Sequence, residues 1–185
     1  MEFLQEIDVA VFYFINNSLA NPVTDSFMAF ITESKNWIIF YVIVWFYLVI
    51  KGGRKGIVVG ILILICILVS DQLSSNLLKN YFHRIRPCNT LPHVHLLVEC
   101  TKSFSFPSSH AVNNFAAATF FSYFYPDYKY VLFIGAFLIA ISRVFCGVHY
   151  PFDMLGGIFI GILVGLFIIY LWKFFNNKFN ILKET

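Results

Sequence analysis

The fold is decided by the stretch MLGGIFIGILVGLFIIYLW at residues 154–172, which contains no charged residue. A helix needs about 20 apolar residues to cross the hydrocarbon core of a bilayer, so this stretch predicts a membrane span. The rest of the chain has the same character: 59% of its 185 residues are hydrophobic, 12% are charged, and the mean hydropathy is +0.75. A soluble globule needs more charged surface than that. The sequence therefore predicts a membrane protein, with residues 1–185 forming one domain.

Four further apolar segments precede this span along the chain. The last two are separated by Pro126 and Asp127, because a proline discourages one continuous helix. The first of the four is short for a span unless its helix begins a turn or two earlier. With the stretch already described, they predict an all-α polytopic bundle of about five spans. The four segments are residues 37–50, 56–78, 111–125 and 130–145.

The first 34 residues have a different composition from the spans. They mix apolar residues with five acids, contain no Lys or Arg, and are interrupted by Asn21-Pro22. Such a mixture predicts a helix that lies in the membrane interface, not a sixth span. Residues 1–34 are therefore expected to form an interfacial N-terminal segment.

The basic residues predict the orientation, because short cytoplasmic loops collect Lys and Arg. Five spans place a group of basic residues at one end and the acidic N-terminal segment at the other. Three of the six cations at the acidic end, Lys79, Arg86 and Arg143, are candidate site residues, and setting them aside leaves seven basic residues against three. We therefore expect residues 79–107 and 143–153 to lie outside, in the periplasm of a bacterial inner membrane or its equivalent. The basic residues at the inner end are Lys51, Arg54, Lys55, Lys129, Lys173, Lys178 and Lys183.

This topology brings three polar clusters to the same end of the bundle, at residues 79–87, 107–110 and 142–153. Three cations in these clusters can neutralise a phosphate dianion, and a guanidinium matches its oxygens in pairs. Two serines follow Pro107 and add donors at the start of a helix, where free backbone amides favour an anion. The clusters therefore predict a phosphate site. The cations are Lys79, Arg86 and Arg143, and the serines are Ser108 and Ser109.

Two histidines and a carboxylate add reactivity to this phosphate site. An unprotonated imidazole can attack phosphorus while a second, protonated imidazole gives its proton to the departing oxygen. Asp153, four residues after His149, can hold that imidazole in one tautomer. The residues therefore predict phosphoryl transfer involving His149, His110 and Asp153.

The three clusters read Lys-x6-Arg-Pro, Pro-Ser-x-His and Ser-Arg-x5-His-x3-Asp. This pattern resembles the three-part signature of the type 2 phosphatidic acid phosphatase superfamily, which includes membrane lipid phosphatases and vanadium haloperoxidases. The resemblance implies a metal-independent reaction through a phosphohistidine on His149, with Asp153 orienting that ring. It implies that His110 is first the general acid and then the base that activates water. It also implies phosphate binding by Lys79, Arg86, Ser108, Arg143 and the amide of Ser109, which stands where the family commonly has glycine.

The remaining polar residues of the outer loop are open to two interpretations. Arg84, His83 and Lys102 are either contacts for a lipid headgroup or solvated loop residues. Cys88 and Cys100 can form a disulfide if the loop faces an oxidising compartment. Neither the His93-Val-His95 pair nor any other spacing is typical of a zinc site, so no metal and no cofactor is predicted.

The expected function is removal of phosphate from a membrane lipid phosphomonoester or pyrophosphate at the outer interface. Undecaprenyl pyrophosphate and the 1-phosphate of lipid A rank first, followed by phosphatidylglycerol phosphate and phosphatidic acid. Two alternatives use the same residues, namely a lipid phosphotransferase and a non-enzymatic anion-binding membrane protein. The partners expected are the lipid substrate and the bilayer. Nucleic acid is disfavoured, since a net charge of +3 offers no basic stripe for its backbone.

Overall fold

The computed structural model of the protein describes residues 2–182, and this part of the chain is helical with no β-strand. The predicted all-α class is confirmed. Lys183, which was assigned to the basic end, lies outside the described residues. Wide π-helical turns follow α1 (Phe14–Ser18) and α4 (Gln72–Leu78), and a 3-10 turn (Pro126–Tyr128) precedes α8. The helices are α1 (Glu2–Tyr13), α2 (Pro22–Thr32), α3 (Lys35–Lys51), α4 (Gly53–Asp71), α5 (Lys79–Phe82), α6 (Pro87–Thr90), α7 (Ser109–Phe124), α8 (Lys129–Phe145) and α9 (Pro151–Phe179).

The helices form the predicted membrane bundle. Three helical stretches are long and apolar enough to cross a membrane: Gly53–Thr90, Pro126–Phe145 and Pro151–Phe179. Helices α2 and α3 meet at a bend of 50° and make a fourth span if they are taken together, which lengthens the short segment 37–50. Helix α7 has only 16 residues, but it occupies the centre of the bundle, where it packs along α9 and against α8 and α4.

The N-terminal segment, which was expected to lie in the membrane interface, packs against the other helices. It contains two helices, because Asn21 caps a new helix whose Thr24 amide donates to the Asn21 side chain, and this helix leads into α3. Asp8, Phe12 and Asn16 are fully buried within the protein. Asn16 Nδ2 donates to the carbonyl of Phe145 at 2.8 Å, so this segment is attached to the end of α8.

Glycines set the close contact between α7 and α9. A Cβ atom at Gly161 would lie 2.4 Å from the carbonyl oxygen of Val112, and one at Gly157 would lie 2.8 Å from that of Ser108. Small residues with this spacing allow two helix backbones to approach closely. The contact matters for the site, because the amide of Ser108 donates to the carbonyl of Asp153 at 3.1 Å.

We expect Gly161→Val to lower the free energy of unfolding by about 1–3 kcal/mol, because a side chain there forces α7 and α9 apart. Thermal unfolding in detergent measures the effect. Gly135→Val is the matched control, since a Cβ at Gly135 meets nothing within 4 Å and its variant should unfold like the parent. Equal unfolding temperatures for the two variants would contradict this account of the α7–α9 contact.

A disulfide closes the loop between the first two clusters. Cys88 and Cys100 are joined, with their Cα atoms 6.2 Å apart, whereas Cys66 and Cys146 are buried free thiols. The bridge begins two residues after Arg86 and ends three residues before Ser103, which binds that arginine. The disulfide therefore restrains the loop beside the predicted phosphate site.

Reduction of this disulfide is expected to destabilise the protein by about 2–4 kcal/mol, because the bridge restricts the unfolded chain. The measurement is thermal unfolding in detergent with and without reductant. A Cys88→Ser/Cys100→Ser double variant should show no response to the reductant. Labelling of both thiols by an alkylating agent without reductant would show that the bridge is absent and would contradict the prediction.

Candidate active site

The centre of the candidate site lies at the start of α9, where His149 and Asp153 are both buried. His149 Nδ1 lies 3.4 Å from Asp153 Oδ2, which is long for a direct hydrogen bond. Ser105 bridges the two, since its Oγ lies 3.3 Å from Nδ1 and donates a short hydrogen bond to Oδ2. The amide of Tyr150 donates to the same oxygen at 2.9 Å. The carboxylate is therefore held from several sides.

Arg86 fixes the tautomer of the His149 ring. Its Nη1 lies 3.2 Å from His149 Nε2, and a guanidinium is only ever a donor. Nε2 must therefore accept, and the ring proton belongs on Nδ1, facing Ser105 and Asp153. Burial lowers the pKa of His149 well below its usual range, although the interaction of its Nδ1–H with the Asp153 carboxylate opposes the shift. The buried ring is thus neutral, with its lone pair on Nε2, as a nucleophile requires.

Most of the donors on Arg86 bind the protein itself. Its Nε donates to the carbonyl of Ser103 at 2.8 Å, its Nη2 to Ser103 Oγ at 2.9 Å, and its Nη1 to the carbonyl of Val148 at 2.9 Å. Arg86 therefore joins the loop after the disulfide to the turn that carries His149. Its role as a phosphate ligand stays a prediction.

Two other predicted phosphate ligands carry unpaired donors. Ser108 Oγ and Arg143 Nε are buried and have no hydrogen-bond partner within residues 2–182. Arg143 is held at its Nη1, which donates to Thr32 Oγ1 at 2.8 Å. Lys79 is also buried and is close enough to Arg86 and Arg143 to interact with them electrostatically. Donors left unpaired among clustered cations fit a site for an anion.

The start of α7 supplies a free backbone amide at Ser109. The first hydrogen bond of this helix runs from the amide of Val112 to the carbonyl of Ser108, so the Ser109 amide precedes it. Ser109 is not among the residues with positive φ, and its backbone therefore does not require the glycine that the family commonly has.

The side chain of Ser109 belongs to a network of hydrogen-bonded side chains next to the site. Its Oγ lies 3.1 Å from Ser75 Oγ, which donates to Asp71 Oδ1 at 3.2 Å. Asn113 Nδ2 donates to the same carboxylate oxygen at 3.2 Å. Asp71 is therefore accommodated within its helix by hydrogen bonds to its neighbours.

His110 connects the polar site to an apolar groove. Its Nε2 lies 3.4 Å from Ser34 Oγ at the bend between α2 and α3. The groove has a volume of about 720 Å³ and runs between α3, α4 and α7. Its walls are largely aromatic and aliphatic, and they include Trp37, Tyr41, Trp45, Ile63 and Phe121.

Arg84 was expected to touch a headgroup or to be solvated. Its guanidinium forms ion pairs with two buried carboxylates, Asp8 and Asp153, and a headgroup contact through the exposed part of the side chain stays a prediction. His83 and Lys102 are exposed in the loop between the first two clusters, with the His83 ring against Phe104. Their contact with a headgroup stays a prediction.

Sequence reasoning missed Ser105, Ser103 and Asp8. Ser105 lies two residues before Pro107, but a single serine in a loop gives no spacing signal. Asp8 resembled the other acids of an interfacial helix. His95, one of the two histidines considered for metal binding, is paired with a carboxylate. Its Nε2 lies 2.9 Å from Asp25 Oδ2. Between residues 2 and 182, no three His, Cys, Asp or Glu side chains are grouped as metal ligands.

The fold and the site together define a class of protein. An all-helical bundle that carries two histidines, a buried carboxylate and several cations at one end has the architecture of an integral membrane phosphatase. The sequence model described as the PAP2 superfamily matches residues 60–177, which is more than half of the chain. The chain belongs to the PAP2 superfamily, and it is an integral membrane hydrolase.

Relatives and solved structures agree with this assignment. The chain is 29% identical to the lipid A 4'-phosphatase of Porphyromonas gingivalis over 96% of this chain and 78% of the relative. It is 28% identical to the undecaprenyl-diphosphatase of Sulfolobus acidocaldarius over 83% of this chain and 73% of the relative. The crystal structure of Aquifex aeolicus LpxE superposes with a TM-score of 0.73 and 28% identity, covering 89% of this chain and 95% of that one.

A second solved structure extends over nearly the whole chain. The PAP2-type phosphatidylglycerolphosphate phosphatase from Bacillus subtilis has a TM-score of 0.70 and 25% identity, covering 97% of this chain and 89% of that one. The similarity therefore includes the N-terminal helices as well as the residues that the family model matches.

Proposed function

We propose that the protein is a metal-independent lipid phosphatase that works through a phosphohistidine on His149. The single domain of residues 1–185 carries the site on its outer segments 79–110 and 142–153. One observation supports this most: the neutral His149 Nε2 faces Arg86 at 3.2 Å, and its Nδ1 faces Ser105 and Asp153. The Nε2 lone pair of such an imidazole can attack phosphorus once it leaves its hydrogen bond with Arg86.

In the first step His149 Nε2 attacks phosphorus and the bond to the departing oxygen breaks. His110 gives a proton to that oxygen, so the dephosphorylated lipid leaves as an alcohol, or as a monophosphate when the substrate is a diphosphate. The His149 ring becomes cationic, and Asp153 stabilises that charge. Lys79, Arg143, Ser108 and the amide of Ser109 hold the oxygens of the phosphoryl group.

In the second step the His110 imidazole, now neutral, takes a proton from water. The resulting oxygen nucleophile attacks phosphorus, the bond to Nε2 breaks, and inorganic phosphate leaves. His110 is again protonated and His149 is again neutral. An acceptor alcohol in place of water would give the phosphotransferase that the sequence left open.

The apolar groove beside His110 supports a substrate with a hydrocarbon tail. It ends at the polar site and has a volume of about 720 Å³ between membrane-facing helices. A tail in this groove would place the phosphate at His110 and His149 while the lipid stays in the bilayer. The binding of the tail would then orient the phosphorus atom.

The helix directions support an outer active site. Lys55 Nζ binds the carbonyl of Phe124, and Lys173 lies over the ring of Tyr123, both at the end of α7 farthest from Ser109. Basic residues thus gather opposite the site, as short cytoplasmic loops do. We place the site at the periplasmic face of a bacterial inner membrane or its equivalent.

The substrate proposed is a lipid of the outer leaflet, either a phosphate of lipid A or undecaprenyl pyrophosphate. The names of the relatives support both, since two are lipid A 4'-phosphatases and others are undecaprenyl-diphosphatases. Phosphatidylglycerol phosphate and phosphatidic acid rank behind them. For lipid A, the relatives add the 4'-phosphate to the 1-phosphate as a position to test.

The test is phosphate release by purified protein in detergent, with EDTA present, from these four lipids, with the position of loss on lipid A read by mass spectrometry. We expect release from lipid A or undecaprenyl pyrophosphate, and none from His149→Ala. Release that requires an added metal would contradict the metal-independent mechanism. Phosphorylation of an added alcohol in place of phosphate release would favour the phosphotransferase.

A further inference from the structure

Arg84 connects the catalytic carboxylate to the N-terminal helix. Its Nη1 donates to Asp153 Oδ1 at 2.7 Å, and its Nη2 donates to Asp8 Oδ2 at 2.5 Å. Asp8 and Asp153 have no exposed surface, whereas 27% of the Arg84 side chain is exposed. One guanidinium therefore bridges two buried carboxylates that lie far apart in the sequence.

Both ends of this bridge are fixed by further contacts. Asp8 Oδ1 accepts a hydrogen bond from the amide of Phe152 at 2.8 Å, one residue before Asp153. The Arg84 guanidinium lies 4.1 Å from the centre of the Tyr150 ring. The carbonyl of Arg84 accepts from the amide of Ser105 at 2.6 Å. Asp8 and Arg84 thus contact Phe152, Tyr150 and Ser105, which adjoin His149 or Asp153.

The charges of the three groups explain why a second carboxylate is useful. An arginine paired only with Asp153 would cancel the negative charge that must stabilise the cationic His149 ring. With Asp8 also bound, the three side chains carry a net charge of −1, which remains available beside His149. The planar guanidinium also holds Asp153 Oδ1, which leaves Oδ2 facing Ser105 and His149 Nδ1.

We propose that Arg84 and Asp8 are positioning residues for the reaction, and that α1 completes the active site by supplying Asp8. Neither side chain touches the imidazole, and both act through Asp153. This inference rests on the proposed function, because it assigns a role in the attack by His149. It assigns a task to the N-terminal segment, which the sequence placed only in the membrane interface.

The test compares kcat and KM for four variants on the lipid that the parent hydrolyses best. Asp8→Asn keeps an oxygen for the Phe152 amide but removes the charge, and Arg84→Met removes the bridge. The third variant combines the two changes. Asp25→Asn is the matched control, since Asp25 lies in the same N-terminal segment but pairs with His95, away from Asp153.

We expect Asp8→Asn to lower kcat about tenfold and Arg84→Met to lower it more, with KM within about twofold of the parent. The double variant should be no slower than Arg84→Met, because Asp8→Asn keeps the contact with the Phe152 amide and the lost charge acts through Arg84. Asp25→Asn should match the parent. A merely structural role would lower the amount of folded enzyme and would not produce this coupling between the two positions.

Three results would overturn the inference. The first is a kcat for Asp8→Asn equal to that of the parent. The second is a double variant whose loss of kcat is the product of the losses in the two single variants. The third is a loss of kcat for Asp25→Asn as large as that for Asp8→Asn. If Asp8→Asn does not fold, Arg84→Lys decides, because a lysine cannot bridge both carboxylates with a planar fork. A tenfold fall in its kcat supports the role of the bridge, and a parental kcat contradicts it. A parent without phosphatase activity would instead contradict the proposed function itself.

Discussion

His149→Gln is expected to lower kcat by at least about 10⁴-fold, the largest effect of any single substitution in this protein. Glutamine approximates the size of the ring but offers no nitrogen lone pair that can attack phosphorus. The cations and the start of α7 are untouched, so binding of the lipid should change little. The measurement is single-turnover phosphate release, with lipid binding measured separately.

His95→Gln provides the control for this substitution. His95 lies in the outer loop and pairs with Asp25, to which a glutamine amide can still donate. Its activity should match that of the parent. Substantial turnover by His149→Gln would mean that another group attacks phosphorus, and the proposed mechanism would then be wrong.

Asp153→Asn is expected to lower kcat by about 10³- to 10⁴-fold, as the same change in a catalytic triad does. Both oxygens of Asp153 accept hydrogen bonds, Oδ1 from Arg84 and Oδ2 from Ser105 and the amide of Tyr150. The NH2 group of an asparagine must therefore face either Arg84 or the donors Ser105 and Tyr150, with which it cannot form a hydrogen bond. The substitution also removes the charge that stabilises the cationic His149 ring.

The matched control for this prediction is Asp127→Asn, which makes the same change in an exposed turn at the opposite end of the bundle. It should retain the activity of the parent. Steady-state kinetics of the two folded variants measure the effect. A loss of less than tenfold for Asp153→Asn would show that the carboxylate does not hold the nucleophile.

The parts of the fold that depend on local sequence could be predicted. The apolar stretch at 154–172 lies within α9, and the turn at Pro126-Asp127 separates α7 from α8. These features follow from hydropathy and from proline, both of which act over a few residues. Three glycines of the same stretch, Gly157, Gly161 and Gly165, lie against α7.

The parts that depend on long-range contacts could not be predicted. Arg84 and Asp8 are 76 residues apart, and neither has a periodic pattern that points to the other. The bridging role of Ser105 depends on where a loop returns to α9. The docking of the N-terminal segment depends on how Asn16 and Asp8 contact the ends of α8 and α9. Such contacts are set by tertiary packing, and composition does not reveal them.

The residue types of the proposed site could be predicted because they suit phosphate chemistry and because their spacing resembles the signature of the superfamily. The arrangement of their hydrogen bonds could not. Arg86 was expected to hold phosphate, but its donors mostly bind Ser103 and Val148. That arrangement makes Arg86 a support for His149 as well as a candidate ligand.

The most direct test of the central claim is to trap the phosphoenzyme. Parent protein is mixed with lipid labelled with ³²P in the phosphate that leaves, quenched with alkali within one turnover, digested and analysed by mass spectrometry. The mechanism predicts a phosphoryl group on His149 that is stable to alkali and lost in acid, and that is absent from His149→Gln. Turnover without label on His149, or label on another residue, would contradict it.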